Sequence, residues 1–71
     1  MSELRLKLPP GVTEEEARLL LAIKLYEEGR ISLGKAAEVA GYTRPTFMEI
    51  LSRRKVPLLD YPAEELENEL K

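Results

Sequence analysis

The 71-residue chain has no cysteine and no histidine. Without cysteine there is no disulfide and no thiolate metal site. Without histidine the commonest general base and metal ligand is missing. No apolar run approaches the ~20 residues that cross a bilayer. The opening residues Met1-Ser2-Glu3-Leu4 show no basic-then-apolar leader pattern. These absences point to a cytoplasmic protein with no membrane association, no metal and no cofactor. They also point away from an enzyme, because no carboxylate is placed with a base, a nucleophile or a ligand pattern that chemistry needs.

What the chain does have is enough for one small domain. Hydrophobic residues make up 44% and charged residues 34%, the balance of a globular chain rather than a disordered one. A core this small gains from a partner. The net charge of −2 hides an asymmetry. Residues 1–29 carry four basic and six acidic side chains, a net of −2. Residues 30–55 carry six basic (Arg30, Lys35, Arg44, Arg53, Arg54, Lys55) and two acidic (Glu38, Glu49), a net of +4. Residues 56–71 carry one basic and five acidic, a net of −4. A cationic middle between acidic ends suits a phosphate-facing surface, and clustering on solvated helix faces is the plainer explanation.

Local signals divide the domain into an arm (1–11), a helical core (12–55) and an extended segment with an acidic helix (56–71). Leu4, Leu6 and Leu8 alternate with Arg5 and Lys7, which predicts a short strand stopped by Pro9-Pro10-Gly11. Thr13 followed by Glu16 is a capping-box pattern. It opens a helix running to about Glu28, with Gly29 as the stop. The middle of that helix, Leu19 to Tyr26, is apolar on more than one face. Either a second subunit or the domain's own neighbours must cover the surplus. Ser32 caps a second helix, about Leu33 to Ala40, and Thr43 a third, about Arg44 to Arg54, with Pro45 in its first turn. Val56 to Tyr61 reads as extended and able to pair with the arm. Pro62 begins a last helix, Ala63 to Leu70. The predicted fold is mostly α: a helix-turn-helix bundle of three to four helices, with short strands before and after the motif, associating as a dimer or higher.

One constellation carries a mechanism. In a helix-turn-helix the two helices cross closely after a tight turn. Ala37 supplies the small contact residue, and Gly41 a residue that tolerates a left-handed backbone. Val39, Phe47, Ile50 and Leu51 are placed to pin the third helix to the second. The motif spans residues 31–54, and its last helix is the candidate reader of the major groove. With Phe47, Ile50 and Leu51 inward, Arg44, Thr46, Met48, Glu49 and Ser52 fall on or near the outer face. Arg44 can bond guanine bidentately, or can serve as a phosphate contact or a solvated cation. Thr43 and Thr46 can bond phosphate or base, and Thr43 serves equally as a cap. Glu49 would repel phosphate unless it accepts from a cytosine amine or pairs with Arg53 four residues on. Arg53, Arg54 and Lys55 suit backbone contacts, which position rather than specify. Lys35 lies where the second helix would cross the backbone, and Tyr42, in the turn, is expected to cover the core, with contact to phosphate as the alternative.

Leu21 to Gly41 resembles a family of short archaeal and bacterial proteins, above all through the core Tyr26-Glu27-Glu28-Gly29-Arg30-Ile31-Ser32-Leu33-Gly34-Lys35-Ala36-Ala37. The blocks Phe47-Met48-Glu49-Ile50-Leu51, Val56-Pro57-Leu58-Leu59-Asp60-Tyr61 and Glu64-Glu65-Leu66-Glu67 are similar to later parts of the same family, and Tyr42 to Pro45 falls outside the matched blocks. Members are regarded as helix-turn-helix proteins and as antitoxins, often found with a PIN-domain-like ribonuclease toxin. The resemblance implies an antitoxin that binds double-stranded DNA and represses its own promoter. It also implies a role for the acidic end. Asp60, Glu64, Glu65, Glu67 and Glu69 would meet the basic surface of such a toxin, with Leu58, Leu59, Tyr61, Leu66 and Leu70 as anchors. A terminal helix packed on its own domain explains that segment equally well. The competing function is an interaction module that neutralises a nuclease through this segment without reading DNA.

Overall fold

A computed structural model of the chain describes residues 2–58. Three helices are formed: α1 (Glu14–Glu27), α2 (Leu33–Ala40) and α3 (Arg44–Arg53). Each starts at a hydroxyl cap on an extended residue. Thr13 Oγ1 accepts from the Glu16 N–H at 3.1 Å, Ser32 Oγ from the Lys35 N–H at 3.1 Å, and Thr43 Oγ1 from the Thr46 N–H at 3.4 Å. Each bond satisfies one of the donors that a first turn leaves open. Glu14, Glu15 and Glu16 add negative charge at the positive end of α1.

All three helices stop in the same way. After α1 the Arg30 N–H reaches back to the Leu25 carbonyl at 2.9 Å, after α2 Tyr42 to Ala37 at 2.9 Å, and after α3 Val56 to Leu51 at 2.8 Å. This six-to-one bond requires a left-handed residue just before the donor. Gly29 (φ 71°) and Gly41 (φ 84°) meet the requirement without a Cβ. Lys55 (φ 59°) meets it with a full side chain, the one non-glycine residue at positive φ among those described.

The core joins one side of each helix. Leu19, Ala22, Ile23 and Tyr26 of α1, Leu33, Ala36, Ala37 and Ala40 of α2, and Phe47 and Leu51 of α3 are buried. α2 packs against both other helices, and its three inward alanines keep side-chain bulk out of the contacts. The large payload therefore comes from Tyr26, Leu33, Phe47 and Leu51, all fully buried, at roughly 1.5–3 kcal/mol for each apolar side chain removed from water. Ile31, Val39, Met48, Ile50, Val56 and Leu58 pack around the edge of this cluster.

Both predicted strands are overturned, since none of the described residues lies in a strand. Alternation alone cannot make a strand, which exists only when a neighbour takes its backbone bonds. The arm has no such neighbour among the described residues. Leu4, Leu6 and Leu8 instead line a groove of about 470 Å³ with Ala17, Leu21 and Val39. In the segment after α3, the Val56 N–H is spent on closing that helix and Pro57 has no N–H to offer. Val56 and Leu58 face the core. The predicted last helix, Ala63 to Leu70, lies outside the described residues. The surplus apolar surface of α1 stays exposed, with Leu20 at 44% and Leu21 at 42%. Among the described residues no helix is long and apolar enough to cross a membrane.

Candidate nucleic-acid interface

The turn between α2 and α3 is three residues long, Gly41, Tyr42 and Thr43. The left-handed backbone at Gly41 ends α2, and the Thr43 cap starts α3 at once. The Thr43 hydroxyl also donates to Thr46 Oγ1 at 3.1 Å, so the two hydroxyls stiffen the first turn together. Tyr42 does not cover the core as expected. It is 38% exposed, because closing α2 uses its backbone and leaves the ring at the surface.

Helical spacing sorts the side chains of α3. Phe47 and Leu51 are fully buried, and Met48 and Ile50 half-buried. Thr46, Glu49 and Arg53 stand at intervals of three and four, which is one row on a helix surface. All three are exposed, as are Ser52, Arg54 and Lys55. Met48 therefore belongs as much to the core margin as to the outer face. Glu49 lies 3.8 Å from Arg53, the four-residue pairing. Both side chains are well exposed, so the pair adds little stability, and its effect is to mask one charge of each sign. Lys35 is similarly occupied, with Nζ 3.0 Å from Glu38 Oε1.

Arg44 behaves differently from the rest. It shares a helix side with Phe47, Met48 and Leu51, at intervals of three, four and seven, one turn nearer the start of α3. Its residue surface is exposed, but its head group does not lie along the Thr46–Glu49–Arg53 row. Nε and Nη2 sit 2.8 Å from the point where a Cβ on Gly34 of α2 would be, and Cζ sits 3.2 Å from it. The guanidinium thus rests on α2 at its first turn. Gly34 is missed by reasoning from sequence, whereas Tyr42 is singled out but assigned to the core first. Tyr42 follows the Gly41 stop directly, which sets it in the turn. For Gly34 there is no signal, because the contact joins two helices.

Of the residues expected to bind a protein partner, only Leu58 is described, half-buried against the core. Leu59, Tyr61, Glu64, Glu65, Leu66 and Leu70 lie outside the described residues, as do Asp60, Glu67 and Glu69.

Residues 2–71 match the profile of an uncharacterised protein family, UPF0175. A "UPF0175 protein" from Aeropyrum pernix is 45% identical over 65 residues, covering 92% of this chain and 72% of that protein. One from Archaeoglobus fulgidus is 54% identical over 57 residues, covering 80% of this chain and 64% of that longer protein. A second Aeropyrum pernix protein of the same name is 38% identical over 60 residues, covering 84% of this chain and 76% of its own length. No solved structure matches the chain.

Proposed function

The chain belongs to the uncharacterised protein family UPF0175, and we propose that it is a small DNA-binding helix-turn-helix protein that regulates transcription. One observation carries this reading. α3 follows α2 after a three-residue turn, buries Phe47 and Leu51, and leaves Thr46, Glu49, Ser52 and Arg53 exposed. Ten residues of helix are about 15 Å long at 1.5 Å each. The B-DNA major groove, about 12 Å wide, admits such a helix. Arg54 and Lys55 at the far end of α3 supply charge for phosphates, and Arg53 joins them where a phosphate replaces Glu49 as its partner. Glu49 is kept off the phosphates by Arg53 and can accept from a cytosine amine. The role is one of binding and requires no catalysis.

Titration of the full chain against the duplex DNA upstream of its own coding sequence tests the reading. If four of the cations engage phosphate, log affinity should fall against log salt with a slope of about −3 to −4. Between 50 and 200 mM salt that is a loss on the order of a hundredfold. No binding at micromolar protein, or binding indifferent to salt, rejects it.

An antitoxin role extends this proposal and rests on the family resemblance together with one feature of the sequence. Residues 56–71 carry a net −4 beside the +4 of residues 30–55. An acidic segment next to a basic one allows a cationic nuclease and DNA to be held at separate places on one small chain. Truncation after Asp60 should abolish capture of such a nuclease and leave DNA binding in place. Equal capture by the truncated chain removes this part of the proposal.

A further inference from the structure

Helix α1 carries two stripes at helical spacing. Leu19, Ala22, Ile23 and Tyr26 face the core. Ala17, Leu20, Leu21 and Lys24 repeat the same intervals two residues earlier. Two residues are about 200° round a helix of 3.6 residues per turn, so the second stripe lies on the far side. Leu20 and Leu21 are exposed there, and the arm adds Leu4 at 71% and Leu6 at 69% exposure. Among the described residues only Tyr42 joins these four as an exposed large hydrophobic. Scattered leucines on a surface need no explanation, but apolar side chains gathered on one face mark an interaction site.

That face is turned away from the row proposed to read DNA. Val39 of α2 lines the groove beside Leu21 and the arm, whereas Gly34 of α2 meets Arg44 of α3. Five residues apart, they stand about 140° from each other round α2. The charges on the face show what it takes. Arg18 and Lys24 are already paired, with Glu14 at 3.0 Å and Glu28 at 3.2 Å. Arg5 and Lys7 on the arm, and Glu15 and Glu16 in the first turn of α1, are exposed and form no ion pair among the described residues. A cationic partner would be repelled by the arm, and an anionic one by the helix start. A second copy is suited to both, because a two-fold axis brings one surface against itself and sets each arm on the other's helix start.

We propose that the outer side of α1 and the arm form the face on which two copies of this chain join. Leu20 and Leu21 of each copy pack on those of the other, and Arg5 and Lys7 of each arm meet Glu15 and Glu16 of the other copy. The arm and one side of a 14-residue helix are small as interfaces go. The dimer therefore forms reversibly, with a midpoint at micromolar protein. The pairing does not depend on DNA binding.

Sedimentation of the full chain from about 1 to 500 μM, without DNA, tests the proposal. The wild type should pass from monomer to dimer across that range. Leu20→Glu with Leu21→Glu should raise the midpoint at least tenfold, as for residues central to an interface, with the helical signal at 222 nm kept. Two charge swaps probe the pairing itself. Arg5→Glu with Lys7→Glu, and Glu15→Lys with Glu16→Lys in a separate chain, should each weaken self-association about tenfold or more. Mixed in equal amounts, the two swapped chains should dimerise again, because every arm then meets a helix start of opposite sign. These swaps touch no core residue, so they decide the matter even if the leucine variant loses its helices. A wild type monomeric at every concentration overturns the proposal, whether or not its own end covers the face. So does a dimer that the leucine and charge variants leave intact, or a mixture of the swapped chains that stays monomeric.

Discussion

Gly41→Ala isolates one backbone requirement on which the motif turns. Gly41 sits at φ 84° and ψ 25°, and a Cβ added there would meet nothing within 4 Å. Steric crowding is therefore absent, and the whole penalty is that of a left-handed L-residue, about 1–2 kcal/mol. Alanine also narrows the unfolded ensemble, which offsets roughly 0.4–1 kcal/mol. The expected net loss is about 1 kcal/mol, against a total stability of roughly 4–10 kcal/mol for a domain of this size. In a domain this small that corresponds to a melting temperature lower by about 4–8 °C. Circular dichroism at 222 nm through a thermal or urea transition reads it out. Lys55→Gly provides the mirror image, because Lys55 pays the same backbone cost at φ 59°. It should be stabilised or left level by the substitution, while losing affinity for DNA through the missing charge. A Gly41→Ala variant as stable as wild type would refute the reasoning, since residue 41 would then not hold a left-handed conformation in solution.

Other expectations follow from packing, capping and charge. Phe47 is fully buried between α3 and the rest of the core. Phe47→Ala should cost about 3–5 kcal/mol, enough to leave the urea transition shallow or the chain unfolded at 37 °C. Thr43→Ala removes the α3 cap and should cost about 1 kcal/mol in the same assay. Glu49→Gln removes the one carboxylate from the exposed row of α3. It should raise affinity for non-specific duplex by up to about fivefold, and a drop confined to the upstream duplex would assign Glu49 to reading cytosine. Arg53→Ala should weaken binding about equally on every sequence and reduce the salt slope by about 1.

Helix boundaries were legible in the sequence because their signals are local. Thr13, Ser32 and Thr43 cap the helices they were expected to cap, and Gly29 and Gly41 end theirs. Phe47, Leu51 and Ala37 were legible as core for the same reason, since helical spacing alone sets them on one side. The strands were not legible, because a leucine alternation such as Leu4, Leu6, Leu8 is equally suited to a ladder and to a groove beside Ala17 and Leu21. Which one forms depends on whether a second strand arrives. The segment after α3 failed for a different reason: the Val56 N–H belongs to the helix end, a demand set by the left-handed Lys55. In the candidate site the exposed row of α3 could be read from periodicity. The seat of Arg44 on Gly34 could not, because residues ten apart meet only once α2 and α3 are packed.

Backbone and arginine side-chain NMR spectra of the full chain, recorded as the upstream duplex is added, report which surface the nucleic acid touches. Shifts should gather at Tyr42, Thr46, Glu49, Ser52, Arg53 and the Arg44 Nε, with the Leu20–Leu21 side of α1 unmoved. Shifts confined to α1 and the arm, with α3 silent, would mean that the exposed row of α3 is not a DNA-reading face.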